Sequence, residues 1–188
     1  MITMSDTGQE LAGGLVVGKR FHSAPVIRLA DAKPMHLGHV LDADGRWRLV
    51  VFAPAGDRGL PAGPVAALCR RLADEPNGVV RRHTPPGAEI DSRIDVRAVF
   101  QVGHRELAVE SMPTLLLPRK GSLGLIDYEK VFCPDPTDGR DIFDLRGIDR
   151  TSGAVVVVRP DQQVAGVLAL DDVDRLRRFF DGFLQIRA

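Results

Sequence analysis

Val155 to Val158 are four consecutive β-branched residues with no polar position between them. A strand with one wet face alternates apolar and polar residues, so an unbroken run is a strand covered on both faces. Arg159-Pro160-Asp161 ends it, because proline fixes φ and lacks an N–H while aspartate accepts bonds in turns. Val164 to Leu170 then returns antiparallel. Asp171-Asp172 can cap a helix from Val173 to about Leu184, with Val173, Leu176, Phe179, Phe180, Phe183 and Leu184 on one face. The chain therefore closes on strand, turn, strand and helix.

Earlier in the chain the same reading gives a second unit. Met1 to Gly14 is small and polar, and residues 1–17 are expected to form a flexible tail before a single domain over 18–188. Val26–Ala30 is a short strand, with Met35–Leu41 as its return partner. Asp44-Gly45 marks a turn before the strand Trp47–Ala53. A Pro/Gly-rich loop over 54–63 leads to a helix from Pro64 to about Asp74, stopped by Glu75-Pro-Asn-Gly78. In Ile94–Phe100, Ile94, Val96, Ala98 and Phe100 fall on one face with a period of two. Strand, helix, strand at this spacing is a right-handed βαβ unit with parallel strands. A βαβ unit and a ββα unit sharing one mixed sheet, with helices on both faces, make an α/β thioredoxin-like fold. Residues 103–150 are a long excursion before the central hairpin, rich in Pro, Gly and Asp, and an ordered insertion of that size covers or binds something.

The 188 residues are enough for one sizeable core. Lys plus Arg equals Asp plus Glu at 25 each, so charge gives no reason to expect nucleic acid or an anionic membrane as partner. No apolar run approaches the length of roughly 20 residues that spans a bilayer, no signal peptide is readable, and the expected setting is the cytoplasm. Cys69 and Cys133 are far apart and form no CxxC pair, and Cys69 lies on the apolar side of its helix.

Several segments carry a family likeness. Phe21-His-Ser-Ala-Pro-Val-Ile-Arg-Leu-Ala-Asp-Ala-Lys-Pro34, Asp44-Gly-Arg-Trp-Arg-Leu49, Gly124-Leu-Ile-Asp-Tyr-Glu-Lys-Val-Phe132, Asp141-Ile-Phe-Asp-Leu-Arg-Gly-Ile-Asp149 and Val157-Val-Arg-Pro-Asp161 resemble the C-terminal domain of phenol 2-monooxygenases, in particular the 3-hydroxybenzoate 4-hydroxylase-like members. The resemblance runs from about Gly18 to Ile186. It implies a thioredoxin-like dimerisation domain that follows the flavin and substrate domains and does not carry the oxygen chemistry. A flavin site of that family needs a GxGxxG turn to receive the pyrophosphate, and these residues contain none. FAD and NADPH therefore enter only through catalytic domains outside this chain.

Candidate reactive groups fare poorly. The loop that would hold a redox CxxC is Pro54-Ala-Gly-Asp-Arg-Gly-Leu60, with no sulfur, and a thiolate is the required nucleophile. His36 and His39 form an HxxH pair that no Cys or acid cluster completes to four ligands. Asp127, Glu129, Asp135, Asp138 and Asp141 could in principle hold a cation, but acidic residues in turn-rich sequence are chiefly turn-formers. No catalytic, cofactor-binding or metal residue is assigned. Arg159, Pro160 and Asp161 are expected to form a turn with an ion pair, at the hairpin tip or an interface. Trp47 and Tyr128, the only Trp and Tyr, are expected to anchor a core or an interface. Arg119-Lys120 and Arg140 could meet a partner's acidic surface. The expected role is a redox-inactive docking module, pairing with itself or with a flavoprotein hydroxylase through its sheet edge and the 103–150 excursion. One alternative is a piece of a complete FAD/NADPH-dependent aromatic monooxygenase. Another is an aromatic-ligand binder using the cleft near Pro54–Pro64.

Overall fold

The computed structural model describes residues 2–135, 137 and 139–184. In chain order its elements are β1 Pro25–Arg28, β2 Pro34–His36, β3 Trp47–Phe52, α1 Pro64–Cys69, α2 Val79–His83, β4 Ile94–Val99, β5 Arg119–Lys120, β6 Leu125–Ile126, β7 Val131–Pro134, α3 Ile142–Arg146, β8 Ala154–Val158, β9 Val164–Leu168 and α4 Val173–Asp181. Seven strands form one mixed sheet in the order β2-β1-β7-β4-β3-β8-β9, and β5-β6 is a separate two-stranded hairpin.

The valine run is the strand it reads as. Every residue of β8 is buried, and it lies antiparallel to both β3 and β9. β3 and β4 are parallel, with Trp47 opposite Ile94 and Phe52 opposite Val99. One face of the sheet, with Leu49, Val51, Val96 and Val157, packs on Leu68, Leu72, Val79, Leu176 and Phe180. The other face, with Val50, Phe52, Val99 and Val156, packs on Leu15, Phe21, Leu37, Ile142 and Phe143. Trp47 sits in the first core, its ring 5.0 Å from that of Phe183 and 5.4 Å from that of Phe180. It is thus a core anchor holding α4 to β3.

Two expectations need correction. The segment expected to fray is packed: Ala12 and Leu15 are buried, Met4 N donates to Ala165 O at 2.6 Å, and Val164 N donates to Lys19 O at 2.8 Å. It lies along β9, where Gly166 leaves room for Met4. A Cβ at Gly166 would come 2.4 Å from Met4 Sδ. A polar-looking sequence is ordered because its few apolar residues are spaced to cover an edge. Secondly, the excursion supplies a central strand. β7 pairs parallel to β4 and antiparallel to β1. The face of β4 opposite Ile94 and Val96 is covered too, with Asp95 and Arg97 both buried.

Candidate functional site

The loop from β3 to α1 occupies the place where this fold carries a reactive thiol. Asp57 stands in it, buried, and both its carboxylate oxygens are in use. Oδ1 accepts from Gly59 N at 2.8 Å and Oδ2 from Val65 N at 2.8 Å. The carboxylate closes the loop onto the first turn of the helix, satisfying a backbone N–H that has no partner within the helix. A hollow of about 410 Å³ beside it is lined by Pro54, Arg58, Leu60 and Pro64. Both sulfurs lie elsewhere and are buried, Cys69 on α1 and Cys133 on β7. Burial pushes each thiol up to about 12, which removes the thiolate that disulfide chemistry needs.

At the opposite, N-terminal end of the parallel strands lies a buried ionic cluster. Asp95 on β4 receives Lys130 Nζ at 2.5 Å, Arg97 Nε at 2.9 Å and Arg48 Nε at 3.0 Å. The Arg48 contact is ionic and not aligned as a hydrogen bond. Lys130 also donates to Asp91 Oδ2 at 2.7 Å, and Lys120 donates to Asp91 Oδ1. Arg48 reaches outward to Asp44 at 2.8 Å, where Arg46 joins it. Burial alone would raise the Asp91 carboxyl, but the hydrogen bonds from Lys120 and Lys130 outweigh it and hold it at about 2. Charges taken out of water this way are tolerable only because each has partners of opposite sign.

This cluster seats the β5–β6 hairpin. Lys120 on β5 ends between Asp91 and Glu89, and Gly121 N donates to Glu89 Oε1 at 2.7 Å. Asp127 N donates to Pro118 O at 2.8 Å, closing the base of the arm. Lys120 is therefore turned inward and is not available to an acidic partner, and Arg119 donates to Gly124 O at 3.0 Å within its own hairpin. Beyond that base Leu123, Leu125 and Ile126 are exposed, as is Tyr128 just past it.

The other singled-out residues are dispersed. Arg159 Nη2 meets Asp161 Oδ2 at 2.7 Å across the β8–β9 turn, with Pro160 between them. Gln162 follows with φ 66°. The His36 and His39 rings are 5.7 Å apart on the surface, and no group of three His, Cys, Asp or Glu able to hold a metal occurs among the described residues. Asp141 caps α3, accepting from Phe143 N at 2.9 Å, while Glu129 meets Arg28 at 2.9 Å. Asp135 accepts from Thr137, and Asp138 lies outside the described residues. The sheet edges are blunted. β9 is covered by the 4–21 segment, and β2 is three residues long and begins with Pro34, as edges that avoid pairing do. The expected docking through a sheet edge is thus overturned at β9. No helix among the described residues is long and apolar enough to cross a membrane.

Neither the cluster nor Asp57 stood out in the sequence. Arg48, Asp95 and Arg97 sit on strands between apolar neighbours and Asp91 and Lys130 just outside strands, and the only signal is the excess of charged residues around 91–97.

Comparison with solved structures places the frame. A thiol:disulfide interchange protein from Bacteroides sp. superposes with TM-score 0.54 at 15% identity, covering 91% of each chain. A thiol peroxidase from Chromobacterium violaceum gives 0.52 at 13% identity, covering 89% of this chain and 86% of the other. At such identity the likeness establishes a thioredoxin-like fold alone. Among characterised sequences, 3-hydroxybenzoate 4-monooxygenase of Comamonas testosteroni is 53% identical over 98% of this chain. The FAD-dependent monooxygenase terD of Aspergillus terreus is 35% identical over 96% of it. The chain spans only 29% and 30% of the length of these two relatives. The family model described as phenol hydroxylase, C-terminal dimerisation domain, matches residues 1–188, and the chain belongs to that family.

Proposed function

We propose that this chain works by self-association. It joins two copies of an FAD-dependent aromatic hydroxylase whose flavin and substrate sites lie in other parts of the protein. The reading rests on the end-to-end family match over a thioredoxin-like frame in which a carboxylate, Asp57, stands in place of a reactive thiol. Two protonated, buried cysteines support a scaffold and not a disulfide exchanger, and they are in keeping with a cytoplasmic setting. The 53% identity to a 3-hydroxybenzoate 4-monooxygenase supports a hydroxylated benzoate as the substrate of the whole enzyme, and the 35% identity to an FAD-dependent monooxygenase supports FAD as its cofactor. Within this chain the contribution is geometric. Two sealed cores and a seated surface arm hold the partner in a fixed pose.

Co-expression of two differently tagged copies of the chain tests the reading. Each tag should recover the other copy in comparable amount. Recovery of single copies only would contradict it.

A further inference from the structure

Seven large apolar side chains are exposed among the described residues, and four of them lie between positions 123 and 128. Leu123 is 83% exposed, Leu125 65%, Tyr128 41% and Ile126 37%. Scattered exposed leucines mean little, but four exposed apolar residues within six positions single out one part of the surface as a contact. Together the four expose roughly 400 Å², about half of the ~800 Å² that each side of a standard interface buries.

The arm is held rigidly for so short a hairpin. Its base is fixed by Lys120 and Gly121 on Asp91 and Glu89 and by the Asp127–Pro118 bond. Because that order exists before any partner arrives, little conformational entropy remains to be lost on docking. Beside the arm runs a shallow groove of about 440 Å³. Ala30, Ile126 and Tyr128 line it, with Arg28, Asp31, Asp127 and Glu129 as its charged residues. Arg28 is already paired with Asp31 at 2.7 Å and with Glu129 at 2.9 Å. One arginine thus faces three carboxylates, so the rim is net acidic, and the arm of a second copy, which carries an exposed Arg119 and no carboxylate over residues 119–126, brings the complementary charge.

We infer that the β5–β6 arm is the contact through which the chain self-associates, the Leu123/Leu125 tip of one copy entering the Ala30–Ile126–Tyr128 groove of the other. This rests on the self-association reading above. Tip and groove are adjacent on one patch, so a twofold axis satisfies both contacts at once, as a closed symmetric dimer requires. The sheet edges offer no competing route, since β9 is covered and β2 is short and proline-led. The buried ionic cluster gains a purpose on this view. It orients a projecting arm from inside the sheet.

Size-exclusion chromatography with light scattering on three proteins tests the inference: the unaltered chain, the Leu123→Glu/Leu125→Glu variant, and Leu60→Glu as a control at an exposed leucine outside the arm. The expected result is a dimer for the first and third. The arm variant should associate at least about a hundredfold more weakly, with an unchanged melting temperature, as for loss of two central contacts. An arm variant that dimerises as tightly as the unaltered chain overturns the arm while leaving self-association standing. A monomeric unaltered chain overturns self-association itself. Should the double variant misfold, mixing Leu123→Cys copies with Ala30→Cys copies under mild oxidation decides the matter. A disulfide-linked pair in the mixture alone supports the seated tip, and its absence refutes it.

Discussion

Lys130 Nζ lies 2.5 Å from Asp95 Oδ1, and both side chains are buried beneath the start of the parallel strands. The pair ties β4 to the segment entering β7, so it joins the βαβ half of the fold to the excursion. Lys130→Met leaves Asp91 and Asp95 short of a cation in a dry site. A cost of about 3–5 kcal/mol is expected, as for other broken buried pairs. Urea unfolding at pH 7 measures it, and a loss below 1 kcal/mol would mean that water reaches the cluster.

The same cluster sets an acid limit. Asp91 is held at about 2, below the ordinary aspartate value of about 4. A carboxyl with a depressed folded value adds stability above its unfolded pKa and loses it as pH falls through its folded one. Stability should therefore decline between pH 4 and 2. Asp91→Asn should be less stable at pH 7 and lose less of its remaining stability over that interval. Parallel acid titrations of unfolding free energy read both.

Neither sulfur should react as a thiolate in the folded chain. With Cys69 and Cys133 buried and each pushed up to about 12, Ellman's reagent at pH 8 should release no chromophore from native protein. Both thiols should react once the chain is unfolded in guanidinium. Rapid labelling of the native chain would show that one of them is reachable.

The N-terminal segment is structural. Removing residues 2–17 strips Met4, Ala12 and Leu15 from the cores and bares the β9 edge beyond Val164, where Met4 N bonds Ala165 O. Loss of three buried apolar contacts and exposure of an unpaired strand should lower the melting temperature and promote aggregation. A truncated chain that melts like the intact one would show the segment to be dispensable.

Asp57→Ala should cost about 1–2 kcal/mol, since the Gly59 and Val65 N–H groups lose their acceptor. Thermal unfolding measures it. Self-association should be unaffected, because the arm lies at the other end of the strands.

Strong periodicity made most of the fold legible. The valine run, the β3 strand and the apolar face of α4 each announce themselves, and their pairing follows from strand spacing and handedness. β7 escaped because four apolar residues in a Pro/Asp-rich stretch carry no measurable period, and only its place in the sheet makes it a strand. α2 escaped because five residues give barely one turn of pattern. Asp95 and Arg97 look like solvent positions on an alternating strand, and local pattern cannot say that the second face is covered. Of the interface candidates, Tyr128 lies on the exposed arm, whereas Trp47 is enclosed by Phe179, Phe180 and Phe183.

Sedimentation equilibrium of the purified chain over a wide concentration range addresses the central claim directly. A scaffold that holds two copies together should show a mass of twice the 20.5 kDa chain, falling toward the single-chain value only on dilution. A mass of 20.5 kDa at every concentration would contradict the account.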